Sequence, residues 1–493
     1  MTTAVQTTTD GAKIFGQPRG LATLFLTEMW ERFSYYGMRS VLILYAVAAV
    51  SRGGFGMDDR VASAIYGLYI AGTYVFAPIG GWMADRLLGA QRAVIAGGIL
   101  ILLGNALLVL GRSPAFFIGL VVIVLGVGLL KPNISVMVAE LYPEGGGRRD
   151  AGFSVFYVGI SVGALLGSLL VPLCAARFGW RWGFCLPVIG MLFGLSQFVL
   201  TRKWLGHRGR AVHGRGGARA WLAVASLVGA IATIIALAAT GALALDPVRL
   251  AAAASWFIVL FVIAYFVYLL LFAGLTRAER RRVYVMGALF AAYAAFFAGF
   301  EQAGASLNLF AQRYTERTFL GWTLPAGILQ GTTAFYTILF APVFAALWIA
   351  LGRRGKDPSA SAKFSAGLAL LALGYLVMYF ASRYVVLGEK VLPTWLLASY
   401  FLQECGDLCL SPVGLSSMTK LAPPRFVGQV MGLWFLALAL GDNLAGQLSG
   451  EYDARNLHTL PQLFLQIFWW ALIAAAIMLL FVPLAKRLTA APK

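Results

Sequence analysis

The sequence predicts an all-α integral membrane protein with fourteen spanning helices, grouped as six, two and six. Three observations carry that expectation. The 493 residues are 60% hydrophobic and only 12% charged, against about 25% charged in soluble domains, and the mean hydropathy is +0.80. Apolar runs long enough to cross a bilayer, about 20 residues each, recur along the whole chain. Two basic loops, Arg202 to Arg219 and Arg277 to Arg282, then divide those runs into blocks.

The elements follow in chain order. After an N-terminal tail (1–20), the first six spans fall near 21–50, 61–83, 93–111, 115–140, 152–173 and 183–201, giving an N-terminal bundle over 21–201. The segment 202–282 holds both basic loops and two Ala-rich spans, 220–244 and 250–275. Neither span has a charge in its interior, so the pair is expected at the periphery, facing lipid. The last six spans, 283–311, 325–352, 364–382, 393–418, 426–449 and 462–485, form a C-terminal bundle over 283–485, followed by a tail (486–493).

The net charge of +19 suggests nucleic acid until its distribution is examined. With both termini cytoplasmic, most Lys and Arg fall in cytoplasmic connections and a minority in the opposite ones, as the positive-inside rule requires. The basic charge is therefore a topology signal, and no nucleic-acid partner is expected. The N-terminal tail has no apolar core, so it does not read as a signal peptide. His207, His213 and His458 lie in hydrophilic connections, which excludes a histidine proton relay inside the membrane. Cys174, Cys185, Cys405 and Cys409 follow no disulfide or metal spacing. No Ser/His/Asp arrangement or metal cluster supports an enzyme, and charges of alternating sign do not suit a cation channel.

The informative residues are the charges inside apolar runs. Glu28, Glu31, Arg32 and Arg39 share one face of the first span. At about 2.5–3.5 kcal/mol each, they oppose insertion by about 10 kcal/mol. Lys131, Glu301, Glu404, Asp407 and Asp442 also lie at membrane depth. A static scaffold would gain more from apolar packing than from so many pairs. Charges that exchange partners during a transport cycle account for the excess.

The motifs around these charges carry a resemblance. Gly80-Gly81-Trp82-Met83-Ala84-Asp85-Arg86-Leu87-Leu88-Gly89 looks like the cytoplasmic loop motif of the major facilitator superfamily. There, glycines let helices approach closely and Asp85 and Arg86 clasp neighbouring charges and helix ends. Two six-helix halves are that superfamily's layout. Glu28-Met29-Trp30-Glu31-Arg32-Phe33-Ser34-Tyr35-Tyr36-Gly37 matches every fixed position of the ExxERFxYYG signature of proton-dependent oligopeptide transporters. Lys131-Pro132-Asn133, Phe300-Glu301-Gln302 and Ser411-Pro412 extend the resemblance over most of the chain.

The resemblance implies a proton-coupled symporter that imports di- and tripeptides by alternating access, in the inner membrane of a bacterium. The proton is then the coupling ion, no cofactor is needed, and a monomer is expected to suffice. Glu28, Glu31 and Arg32, with Lys131 and Glu301, would link proton uptake to movement of the halves. Arg39 and Lys131 would meet the peptide carboxylate and Asp407 its amino group. Arg39–Glu301 and Lys131–Asp407 would form and break as gating pairs. Tyr35, Tyr36, Tyr74, Ser161, Gln330, Ser411 and Trp434 are expected to line the pocket. Three departures concern substrate preference: Asp407 stands where the family usually has Glu, Ile160-Ser161-Val162-Gly163 lacks the family's Asn, and Thr333-Ala334 replaces an Asn-Pro. The alternative expectation is a transporter of another small solute, such as nitrate or a peptide-like drug.

Overall fold

The computed structural model describes residues 13–14, 17–111, 113–143, 146–210, 217–319, 321–451 and 457–489. Most of the N-terminal tail, His213, Arg215 and residues 490–493 of the C-terminal tail lie outside them. The helices are α1 (Arg19–Val47), α2 (Asp59–Val75), α3 (Ala77–Met83), α4 (Ala90–Val109), α5 (Ser113–Glu140), α6 (Gly146–Phe178), α7 (Trp180–Thr201), α8 (Ala218–Ala239), α9 (Pro247–Leu271), α10 (Arg277–Phe300), α11 (Ser306–Tyr314), α12 (Gly331–Arg353), α13 (Ala360–Val386), α14 (Thr394–Leu421), α15 (Val427–Ser449) and α16 (Thr459–Thr489). The α2–α3 and α10–α11 pairs each make one span, so the helices amount to the expected fourteen. Among the described residues, twelve spans are long and apolar enough to cross a membrane by composition alone. The other two are α1 and α14, which carry the charges Glu28, Glu31, Arg32, Arg39, Glu404 and Asp407.

One break was not legible in the sequence. The run expected as 283–311 is interrupted by a 3-10 turn, Glu301–Gly304, between α10 and α11. Irregular backbone at membrane depth is tolerated only where protein satisfies it. Here the Gly299 carbonyl accepts from the Tyr375 hydroxyl at 2.7 Å. Gln302 Nε2 donates to the Ala445 carbonyl at 2.9 Å, and Ser306 Oγ donates to Gln302 Oε1 at 2.6 Å.

The chain divides into two compact units. Unit one gathers α1 up to Met38, α3 to α5, α6 up to Gly167, α7 from Arg181, and α8. Unit two gathers α1 from Arg39, α2, α6 from Ser168, and α9 to α16. Within unit one the helices meet at small residues, because lipid supplies no hydrophobic force between them and dispersion requires close approach. A Cβ on Gly97 would lie 2.6 Å from the Gly126 carbonyl oxygen of α5, and one on Gly104 would lie 2.7 Å from that of Gly119. In unit two, α13 meets α14 at Gly367 and Gly406, and α2 meets α15 at Gly67 and Gly446.

The inserted pair behaves unequally. The apolar stretch of α8 is unburied throughout, as a lipid-facing span should be. In contrast, α9 buries the stripe Ala251, Ser255, Ile258, Val262 and Leu269 and packs on α2 and α15. Asn443 Nδ2 donates to the Ala251 carbonyl at 2.6 Å and to Ser255 Oγ at 2.9 Å. Gln447 Nε2 adds a bond to Ser255 Oγ at 2.8 Å. An Ala-rich span without charges reads as lipid-facing, and one serine is enough to fix a docking face.

Candidate functional site

In unit one the charges of α1 fold onto one another. Arg32 Nε lies 3.2 Å from Glu28 Oε1, one helical turn away, and also pairs with Glu31. All three are buried, at 2%, 1% and 3% exposure for Glu28, Glu31 and Arg32. The guanidinium sits 4.9 Å from the centroid of the Tyr35 ring, which packs edge-on against Tyr36. Lys131 of α5 is half-buried and close enough to Glu28 for its charge to act on that carboxyl.

Glycines hold this cluster in place. Gly159, Gly163 and Gly167 recur every fourth residue on α6 and seat it on α1: Cβ atoms there would meet Phe25, the Met29 carbonyl oxygen at 2.1 Å, and the Phe33 carbonyl oxygen at 2.3 Å. From α7, Gly190 and Gly194 face Phe33 and Trp30. Gly163→Val should therefore part α6 from α1 beside Arg32. We expect a loss of about 1–3 kcal/mol, the usual cost of overpacking, read as a lower melting temperature in detergent, with Gly217→Val as a control. Nothing lies within 4 Å of a Cβ at Gly217.

In unit two, Arg39 Nη2 lies 2.9 Å from Glu301 Oε2, and Arg39 Nε donates to the Tyr66 hydroxyl at 2.9 Å. Arg39 and Glu301 are each 6% exposed. Tyr66 reaches this position because residue 304 is glycine; a Cβ there would lie 1.7 Å from its hydroxyl oxygen. Nearer the end of α2, Asp59 and Arg313 form a two-pronged pair at 2.6 and 2.7 Å, and Ser63 Oγ donates to Ser449 Oγ at 3.0 Å.

On α14, Ser411 Oγ donates to Asp407 Oδ1 and lies 3.0 Å from the Tyr293 hydroxyl. Tyr293 stacks on Trp434 with centroids 3.8 Å apart. Trp434, expected to line the pocket, is buried against Gly414 and Phe364. Thr337 Oγ1 donates to Glu404 Oε1. Tyr74 stacks on Phe435, Ser161 is buried on α6, and Gln330 ends a 3-10 turn (Ala326–Gln330) with its buried Nε2 unbonded among the described residues. Lys131 belongs to unit one and Asp407 to unit two. Asp85 and Arg86 lie exposed on a π-helical turn, Ala84–Leu88, that Gly89 ends at φ +76°.

The family model described as "POT family" matches residues 91–465. The chain belongs to the POT family. It is 41% identical to the peptide transporter YePEPT of Yersinia enterocolitica, covering 98% of each chain. It is 36% identical to a di-/tripeptide transporter of Lactococcus lactis, covering 89% of this chain and 90% of that one. Among solved structures, a peptide transporter POT bound to sulfate superposes with a TM-score of 0.90 at 39% identity, covering 97% of both. Members of the POT family are transporters, and this chain is a multi-pass membrane transporter with no call for enzymatic chemistry.

Several residues of these clusters escape sequence reasoning. Tyr66 reads as ordinary packing in a small-residue helix, and its one signal is Gly304 just after Glu301. Asp59 and Arg313 fall outside the expected spans, so they read as loop charges. Tyr293 and Thr337 carry no charge to mark them.

Proposed function

We propose that this POT family member imports di- and tripeptides with protons, the two six-helix halves (21–201 and 283–485) rocking about a central site. The observation that carries the reading is the charge arrangement on α1. Two buried carboxyls, Glu28 and Glu31, share Arg32, and Lys131 supplies the second positive charge. The four are balanced until a peptide carboxylate draws on Lys131. One carboxyl then lacks compensation in a low-dielectric site, and a proton restores neutrality. Peptide binding and proton binding thereby favour each other, which is the requirement for symport.

Arg39 and Lys131 would hold the peptide carboxylate and Asp407 the amino group. A zwitterion with two fixed ends and a variable side chain suits such an arrangement. Relatives named as peptide transporters support this substrate class, as does a related structure holding the peptide-like compound alafosfalin. With both termini cytoplasmic, Arg39–Glu301 and Asp59–Arg313 lie toward the outside and lock the outer gate, while Lys131–Asp407 would form when the inner side closes.

Counterflow in proteoliposomes tests the substrate. Unlabelled di- and tripeptides should displace a labelled dipeptide, and nitrate should not; nitrate exchange without peptide exchange would overturn the reading. The outer lock has its own prediction. In a background without the four native cysteines, Asp59→Asn should raise labelling of a Ser63→Cys reporter by an impermeant maleimide. The loss of charge-assisted bonds, about 1.5–3 kcal/mol, corresponds to roughly a tenfold or larger rise in the open population.

A further inference from the structure

One cleft plays no part in the transport reading. It lies in unit two, where the end of α13 meets the start of α16, and measures about 790 Å3. Tyr379, Phe380, Arg383 and Tyr384 of α13 line it, facing Gln462 and Leu465 of α16. Deeper in the bundle the two helices are joined. Ser365 Oγ donates to the Ala475 carbonyl at 2.7 Å, and the rings of Tyr375 and Phe464 lie 6.1 Å apart. Beyond Tyr375, the residues Met378, Ser382 and Val385 keep α13 turned to the core, so the helical period places 379, 380, 383 and 384 on its flank.

That flank meets lipid. Phe380 and Leu387, about one turn to either side of Arg383, are 51% and 76% exposed. A guanidinium with exposed apolar residues before and after it stands at the boundary of the bilayer, not in an aqueous connection. With both termini cytoplasmic this is the outer boundary, where the positive-inside rule gives no reason for a cation. Snorkelling of one arginine accounts for the charge but not for the cleft beside it.

The polar side chains of the cleft can donate hydrogen bonds. Arg383 Nη1 donates to the Tyr379 hydroxyl at 3.3 Å, which ties the guanidinium to the cleft wall and leaves its other N–H groups for a ligand. Tyr384 is held against Trp395, with centroids 6.0 Å apart, and the Gln462 amide adds two more N–H groups. No carboxylate lines the cleft. A charged fork with neutral donors on one side and hydrocarbon on the other matches a phosphate diester that carries acyl chains.

We propose that this cleft binds an anionic phospholipid of the outer leaflet. Its phosphate diester meets Arg383, Tyr379 and Gln462, and its acyl chains follow Phe380 and Leu465 into the bilayer. The leaflet rests on the topology given above; the binding does not, and neither depends on what is transported.

Photocrosslinking of the full-length protein in phosphatidylcholine nanodiscs tests the proposal. The probe is a trace of phosphatidylglycerol with a diazirine near the start of one acyl chain. Crosslinked peptides should map to 380–387 and 462–465, and unlabelled phosphatidylglycerol should displace the probe. A phosphatidylcholine probe should show no enrichment there, and soluble glycerol phosphate should displace nothing. Arg383→Gln should need about tenfold more probe for the same yield, the usual reach of a charge-assisted bond, and Arg383→Lys should recover part of the loss. Arg383 is exposed, so these variants should melt with the parent in lipid-free detergent; Gln462→Leu is a second, independent variant. Crosslinks spread evenly over the lipid-facing helices would overturn the proposal, as would equal enrichment of the phosphatidylcholine probe. Unchanged labelling in both Arg383→Gln and Gln462→Leu would do the same, and displacement by glycerol phosphate would replace the lipid with a soluble anion.

Discussion

Glu28→Gln and Glu31→Gln are each expected to abolish proton-driven dipeptide accumulation while leaving dipeptide counterflow measurable. The two carboxyls share Arg32, so replacing either with an amide fixes the cluster in the charge state that protonation would create. Peptide can still exchange across the membrane, because exchange needs only repeated opening and closing with substrate bound. Net uptake loses its driving force. One proton crossing about 100 mV supplies about 2.3 kcal/mol, which at about 1.4 kcal/mol per tenfold ratio permits roughly fifty-fold accumulation. Both variants should therefore fall from that ratio toward unity, measured as internal over external labelled dipeptide under an imposed potential. An amide that still accumulated peptide to the wild-type ratio would mean that its carboxyl carries no coupled proton.

The second large effect is expected at Arg39. Arg39→Met leaves Glu301 buried beside Tyr66 without its guanidinium. Breaking one side of a buried pair costs about 3–5 kcal/mol, mostly from the stranded charge. The single variant should thus be markedly less stable in detergent and inactive. The double variant Arg39→Met/Glu301→Gln removes both charges and should regain most of the stability without regaining transport, since Arg39 is also assigned to the peptide carboxylate. Recovered uptake in the double variant would reduce Arg39 to a structural partner of Glu301. The packing of α2 on α15 should survive in it, because Ser63–Ser449 and Asp59–Arg313 remain.

How much of this was legible depends on how each residue announces itself. Charges within apolar runs stand out, so Glu28, Glu31, Arg32, Arg39, Lys131, Glu301 and Asp407 are visible in the sequence without any structure. Span number was legible for the same reason, since fourteen apolar stretches map onto the helices, including the two that fail a composition test because of their charges. The break at Glu301–Gly304 was not, because Phe300, Ala303 and Gly304 are as compatible with a continuous membrane helix as with a broken one. Only the hydrogen bonds from Tyr375, Gln302 and Ser306 distinguish the two. Nor could the sequence show that Arg39 meets Tyr66 as well as Glu301, because Tyr66 reaches it through space vacated by a glycine far along the chain. Docking of α9 was hidden similarly: Ser255 is one polar residue in an apolar span, and its partners Asn443 and Gln447 lie almost two hundred positions away.

The central claim is that peptide and proton move together, and dipeptide-driven proton uptake measures it most directly. Proteoliposomes holding the purified protein, with a pH-sensitive dye inside and no imposed proton gradient, would receive an inward dipeptide gradient. The account predicts acidification of the interior that requires dipeptide and is absent in Glu28→Gln and Glu31→Gln. Dipeptide entering at the same rate with no acidification would contradict it.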